Sequence, residues 1–403
     1  MITVIDAPCG TGKTHKAIEY MKSHPDTRFI YITPFLSEVE RIKREVPKTI
    51  SPTNRNSSGT KLEGVRYLLR NSDYNIASTH SLFERFNEDM ADLIKTQHMV
   101  LILDEVMDVV RELDKSSLPP DDIPILLESK CIEIDKKTGK ITWIGDINYD
   151  GVCSDIKDMI LNGQVYAMLN ETTGQYFCFI WTFPPKVFEA FDDVYILTYL
   201  YKYQLQRHYY DFHKIKYEIK TLKNNEIVPY ELQKRHIDKI HIYEGKQNDI
   251  GKIEGNNEYA LSHNWFMKKT NDSFVFFKRS LYTMVRNNFK TKSKEIIWTT
   301  YKDFKEKIKG KGYSKGFLPC NTRSTNEYIH CHCVMYLLNR YMNPFVKYFF
   351  ESHGVTITKE QEDMYALSEM IQFVFRSAVR NGEDIYVYVP SERMRNLLYK
   401  YIN

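Results

Sequence analysis

The first fourteen residues constrain this chain more than any other stretch. Ile2-Thr3-Val4-Ile5-Asp6 reads as a short apolar strand and Ala7-Pro8-Cys9-Gly10-Thr11-Gly12 as a loop. Lys13-Thr14 opens a helix that continues through Ala17, Ile18 and Met21. Strand, glycine loop and helix in that order form a socket for phosphate. Gly10 and Gly12 let the backbone curl so that its N–H groups turn inward on anionic oxygens. The helix adds the positive end of its dipole. Lys13 reaches β- and γ-phosphates, and the Thr14 hydroxyl is a ligand for Mg2+. The nucleotide-binding set is therefore Gly10, Thr11, Gly12, Lys13 and Thr14. A plain glycine turn is the competing reading, and the flanking strand and amphipathic helix weigh against it.

Further apolar runs follow. They are Arg28–Thr33 before Pro34, Asn75–His80, Met99–Glu105 and Val194–Thr198. Continuous apolar strands are buried on both faces, which predicts a mostly parallel sheet with helices on each side. Chemistry gathers at the carboxyl ends of such strands. Each run ends in polar residues there: Thr33, Thr79-His80, Asp104-Glu105 and Thr198. Asp104 is placed to hold Mg2+ together with Thr14. Glu105 is placed to orient or deprotonate the water that attacks a γ-phosphate. An acidic strand end opening a loop is the bland alternative, and the phosphate loop upstream favours the catalytic one.

At 403 residues the chain has room for two or three domains. Seven cysteines without a CxxC pair argue against a disulfide framework. The N-terminus enters the first strand with no leader-like segment. No apolar run approaches the roughly 18 residues of a membrane span. The expectation is a soluble protein of a reducing, cytoplasmic compartment. The net charge of +4 does not make the whole molecule a basic binder. Residues 206–316 are lysine-rich, however, and 261–316 hold 14 Lys and Arg against 4 Asp and Glu. Rings are interleaved with these cations, among them Trp265, Phe266, Phe274, Phe276, Phe277, Tyr282, Trp298, Phe304 and Tyr313. Phosphates on lysines and bases on rings suit a single-stranded nucleic acid. A solvated basic face over an aromatic core is the alternative.

Residues 111–180 read as an insertion on the first sheet, with a hairpin over Ile132–Thr142. Residues 51–60 read as a polar loop. Glu295–Thr300 and Gly316–Asn321 read as strands, Tyr328–Tyr341 as a helix stopped by Asn343-Pro344, and Ile385–Val389 as a strand before a Ser391-capped helix. The Cys320, His330, Cys331, His332, Cys333 group lacks the paired spacing of a metal site. In 367–382 an apolar stripe (Leu367, Met370, Ile371, Val374, Ala378) predicts one helix ended by Asn381-Gly382. Gln372, Arg376 and Arg380, spaced by four, share its opposite face. Arginines on a second lobe that reach a γ-phosphate would stabilise the transition-state charge.

In order, these pieces resemble a superfamily 2 helicase, of the DEAD-like type encoded by bacteriophages. Ala7–Thr14 resembles motif I, Tyr31-Ile32-Thr33-Pro34 motif Ia, and Asp104-Glu105-Val106-Met107 motif II. Leu197-Thr198-Tyr199 resembles motif III, Asn321–Asn326 the region of motif V, and Gln372, Arg376 and Arg380 motif VI, with Phe375 at its glycine position. The resemblance implies an α/β fold of two RecA-like lobes with ATP and Mg2+ in the cleft between them. The lobes are expected over about 1–205, with the 111–180 insertion, and 206–403, with a basic-aromatic insertion at about 206–290. It implies Lys13, Asp104, Glu105, Gln372, Arg376 and Arg380 as catalytic residues and Thr14 with Asp104 as metal ligands. It further implies an ATP-dependent helicase or translocase on single-stranded or tailed duplex DNA, in phage replication or recombination. Replication proteins are partners to expect, in the host cytoplasm and without a membrane. Three alternatives stay open: an RNA helicase, a nucleic-acid-stimulated ATPase that remodels without unwinding, and a single-site P-loop kinase or regulator.

Overall fold

The protein is described by a computed structural model, which covers all residues except 55–58, 115–117, 120, 171, 254–257 and 321–326. Internal contacts divide the chain into two compact units. The first comprises Met1–Ala7, Gly12–Glu231 and Asn343–Ile357; the second comprises Pro8–Thr11, Leu232–Met342 and Thr358–Asn403. The strands in chain order are β1 (Ile2–Asp6), β2 (Arg28–Thr33), β3 (Thr49–Ile50), β4 (Asn75–Thr79), β5 (Met99–Asp104), β6 (Val110–Glu112), β7 (Ile132–Ile134), β8 (Lys140–Trp143) and β9 (Gln164–Asn170). They continue as β10 (Gln175–Thr182), β11 (Asp193–Thr198), β12 (Tyr217–Lys223), β13 (Glu226–Pro229), β14 (Ile240–Ile242), β15 (Ile296–Thr299), β16 (Cys333–Tyr336) and β17 (Ile385–Tyr388).

In the first unit an eight-stranded sheet runs β13-β12-β1-β11-β5-β2-β4-β3. Every neighbouring pair is parallel except β12 with β13. β1 and β5 are buried along their whole length, as expected of strands covered on both faces. The sheet's aliphatic and aromatic side chains, with Ala17, Ile18 and Met21 from the helix Lys13–Ser23, form one core. The polar ends of β1, β2, β4, β5 and β11 all lie at their carboxyl ends, as read from the sequence. The expected lobe boundary at 205/206 falls short, because β12 and β13 extend this first sheet.

The 111–180 insertion is a sheet of its own. β6-β10-β9-β8-β7 is antiparallel throughout, with the expected hairpin as β7–β8. A helix from the second half of the chain, Pro344–Ser352, belongs to this first unit. Phe349 packs on Tyr166 and Phe212, and Phe350 packs on His208. Asn343-Pro344 therefore starts a helix where the sequence reading stops one. The Asn343 Oδ1 caps it, accepting from the Phe345 N–H (2.8 Å) and the Val346 N–H (3.1 Å), and proline suits the first helical turn.

The second unit is built on a parallel four-stranded sheet, β14-β17-β16-β15. Three expectations fail here. Tyr328–Tyr341 is not a helix: Cys333–Tyr336 is the buried strand β16. A short, unbroken apolar run does not distinguish the two states. Gly316–Cys320 is not a strand, and Phe317 makes one isolated bridge to Trp298. The motif V stretch, Asn321–Asn326, lies outside the described residues.

The third failure matters most for function. The helix Lys359–Val374 opens on a Thr358/Gln361 capping box but stops seven residues before Asn381. Ser377 Oγ donates to the Val374 carbonyl (2.6 Å), and the Ala378 N–H is taken by the Cys331 carbonyl (2.9 Å). A short 3-10 turn, Ala378–Asn381, follows. Gln372 and Arg376 are buried rather than on a solvated face, and Arg376 and Arg380 lie beyond the helix that was to align them with Gln372.

His208 in the helix Leu205–Phe212 is fully buried, and neither ring nitrogen has a hydrogen-bond partner among the described residues. Burial holds its pKa down to about 4 from a usual 6.5. A depressed histidine leaves stability intact above the unfolded-state pKa and removes it as pH falls toward the folded one. We expect unfolding midpoints to drop between pH 6.5 and 4, with His208 accounting for up to about 3 kcal/mol. Chemical denaturation of His208→Phe across that range should show a shallower pH dependence than the parent chain.

Candidate functional site

The carboxyl edge of the first sheet gathers the predicted residues. β1 ends at Asp6, and the chain then turns through the loop into the helix at Lys13. Gly10 and Gly12 have φ of 82° and 91°, left-handed values at which any Cβ is strained. The Thr11 hydroxyl donates to the Pro8 carbonyl (2.9 Å), closing the turn. Gly12 is the N-cap, so the first N–H groups of Lys13–Ser23 are left pointing out of the helix start. The Lys13 Nζ curls back over the loop and donates to the Ala7 carbonyl (2.5 Å).

Asp104, at the tip of β5, is the hub. Its Oδ2 accepts from the Thr14 hydroxyl (3.1 Å) and the Tyr31 phenol (3.0 Å). Its backbone carbonyl lies 3.0 Å from the His80 Nε2. Residues from β2 and the phosphate-loop helix thus converge on the carboxylate at the tip of β5, and His80, just after β4, meets the main chain of the same residue. Burial, followed by the charge of Glu105, pushes its pKa up to about 7. Two oxygen donors 3.1 Å apart, one of them a carboxylate kept from water, form the donor set that suits a hard divalent cation. Thr14 and Asp104 are the residues that could hold Mg2+.

Glu105 follows with φ 68°, a left-handed value that is unusual without glycine. Its N–H donates to the Leu197 carbonyl (2.8 Å). The Thr198 hydroxyl at the tip of β11 lies 3.2 Å from Glu105 Oε2 and 3.3 Å from Gln204 Oε1, and it donates to one or the other. Gln204 is fixed in turn by donating to the Tyr199 carbonyl (2.7 Å). Strain at Glu105, held by neighbours from the adjacent strand, is of the kind found where function overrides local preference.

Asp6 is a residue the sequence reading left in its strand. Its carboxylate accepts from the Leu200 (2.8 Å) and Tyr201 (2.9 Å) N–H groups, holding Leu200 at φ 59°. It thereby fixes the turn after Thr198. Tyr31, His80 and Gln204 were also missed in these roles. The first two stand at or near polar strand ends, which was the available signal. Gln204 gave none.

In the second unit Gln372 and Arg376 are buried and Arg380 is half-buried. The Arg376 guanidinium lies 5.9 Å from the Phe373 ring centroid. Most of the rings expected to stack bases are core. Phe266, Phe274, Phe277, Trp298, Phe304 and Tyr313 are buried in one cluster, so this part of the base-stacking expectation does not hold.

Comparison with known proteins agrees with the layout. Residues 2–111 match the family described as "Type III restriction enzyme, res subunit", residues 113–178 the "YonV middle domain", and residues 234–402 the "YonV C-terminal Rossmann-like domain". The "SPbeta prophage-derived uncharacterized protein YonV" of Bacillus subtilis (strain 168) is 39% identical, across 98% of this chain and 97% of its own. The structure of S. tokodaii Xpd4 superposes with a TM-score of 0.51 at 13% identity, covering 99% of this chain and 94% of that one. The last is a likeness of fold, and it agrees with two RecA-like lobes. The expected resemblance to a phage-type superfamily 2 helicase is borne out by this set. Among the described residues no helix is long and apolar enough to cross a membrane.

A carboxyl group with its pKa raised by folding costs stability as pH climbs from the unfolded value toward the folded one. Asp104→Asn removes that cost. The nucleotide-free variant should therefore be more stable than the parent chain at pH 8, by on the order of 3 kcal/mol, with a higher unfolding temperature, and show no such gain near pH 4. Thermal scans at the two pH values, without divalent cation, check this.

Proposed function

Because the chain belongs to the YonV family, we propose that it is an ATP-dependent DNA helicase or translocase of superfamily 2 type that serves phage DNA replication or recombination. The observation that carries this reading is the Thr14–Asp104 pair at 3.1 Å, with Glu105 locked beside it by β11. A phosphate socket alone fits many nucleotide binders. A socket joined to a buried carboxylate and to a second, rigidly held carboxylate fits hydrolysis.

N–H groups of the loop and helix start take the phosphate oxygens. Lys13 exchanges the Ala7 carbonyl for the β- and γ-phosphates. Thr14 and Asp104 would hold Mg2+, which would supply positive charge to the phosphoryl oxygens. Glu105 accepts the proton of, or orients, the attacking water. The Thr198 hydroxyl, 3.2 Å from Oε2, is the neighbour that can hold the Glu105 carboxylate in place. Gln372, Arg376 and Arg380 of the second lobe are proposed to act on the γ-phosphate. ATP-driven closure and reopening of the lobes would then move the chain along a strand.

Purified protein is expected to hydrolyse ATP and to be stimulated by single-stranded DNA above RNA or duplex. Lys13→Ala and Glu105→Gln should each lower turnover by at least about 100-fold. Retained turnover in either would refute the site. Arg376→Ala and Arg380→Ala tested separately identify the residue that acts on the γ-phosphate by a loss of roughly 10³ in kcat. Hydrolysis intact in both would favour a single-site P-loop enzyme. Stimulation without strand separation on tailed duplexes would mark a remodelling ATPase.

A further inference from the structure

The rings of the second unit sort into two groups. On the helix Asn271–Thr283, Phe274, Phe277 and Leu281 face the core at the usual three-and-four spacing. The opposite face should then be polar. Instead Val275 is 41% exposed, Phe276 66% and Tyr282 39%. Val275, Arg279 and Tyr282 follow one another at i, i+4 and i+7, and Phe276 lies one turn before Arg279. The helix runs on into a π-turn, Met284–Phe289, an irregularity common at functional sites. That turn carries Arg286, whose guanidinium lies 5.8 Å from the Tyr282 ring centroid. From His263 to Lys290 there are six lysines and arginines and a single acid, Asp272, which sits in the first helical turn. Among the described residues Lys278, Arg279 and Arg286 are paired with no carboxylate.

We propose that this stripe, centred on Phe276, Arg279, Tyr282 and Arg286, is a binding site for single-stranded nucleic acid on the second lobe. Each feature has a use for that ligand. An exposed ring is a face on which an unpaired base stacks, whatever its identity. Unpaired arginines beside it meet the phosphates that flank the base. The Arg286–Tyr282 contact pre-orders a cation over a ring, which lowers the ordering cost when the strand arrives. The buried aromatics nearby supply only the platform that holds the helix.

The proposal rests on the nucleic-acid reading of the protein but not on hydrolysis, so it is tested without nucleotide. Fluorescence anisotropy of labelled oligothymidylate with the full chain reads the affinity directly. Phe276→Ala should weaken binding about ten-fold, and Phe276→Trp should restore it. Arg279→Glu with Arg286→Glu should weaken binding further and flatten the slope of log affinity against log salt by about 1.4. These positions are exposed, and unchanged thermal midpoints would establish that the variants are folded. Affinity and salt slope unchanged in all of them would overturn the site, even if the protein proves to be a strand-stimulated ATPase. Binding to anionic lipid vesicles through the same residues, with none to the oligonucleotide, would overturn it in favour of a membrane surface. Strand binding lost in the variants of a protein that hydrolyses no ATP would keep the site and remove the motor.

Discussion

A single carboxylate kept out of water organises the first unit. Asp104 stands at the tip of a strand buried along its length, and its charge is unfavourable there unless donors or a cation meet it. Thr14 and Tyr31 supply two donors to one oxygen. Neither is near Asp104 in sequence. Their convergence requires that β1, β2 and β5 be registered so that all three end at the same level. The parallel sheet is therefore more than a scaffold: its register sets the distance between the phosphate loop and the acid that completes it.

β11 extends this dependence sideways. It lies between β1 and β5, and its tip bonds both neighbours. Ala7 donates its N–H to the Thr198 carbonyl (3.0 Å), and Glu105 donates its N–H to the Leu197 carbonyl (2.8 Å). Asp6 then holds the Leu200 and Tyr201 amides beyond. A shift of β11 by one residue would move Thr198 away from Glu105 and release the phosphate loop together. The strain at Glu105 and Leu200 persists because several such bonds act on each.

In the second unit the balance is different. Its parallel sheet is short, four strands of three or four residues, and its stability rests on aromatic bulk. Phe266, Phe274 and Phe304 stack at 5.1–6.2 Å with interplanar angles of 12–28° beneath the helix Asn271–Thr283. Lysine ammonium groups lie over its rings, Lys269 over Trp265 (4.2 Å) and Lys307 over Phe304 (5.7 Å). Much of the basic, ring-rich composition of 261–316 is thus the ordinary outside and inside of a folded unit. Only the few rings that remain outside, on the Phe276 face, ask for a partner.

The sequence by itself determined the elements whose signal is local. The phosphate loop was legible because left-handed backbone needs glycine at Gly10 and Gly12. The parallel first sheet was legible because strands buried on both faces are apolar throughout. Asp104 and Glu105 were legible because polar residues at the end of such a strand are conspicuous. Only the tertiary structure decided the rest. Cys333–Tyr336 is a strand because β15 and β17 offer it partners on both edges, which no window of sequence records. The helix before Arg376 stops because the distant Cys331 carbonyl takes the Ala378 amide. Tyr31 serves the site because the fold brings it there, and a hydrogen bond between residues 73 apart leaves no periodicity to read. The same holds for the rings of 261–316, whose burial is a property of packing and not of composition.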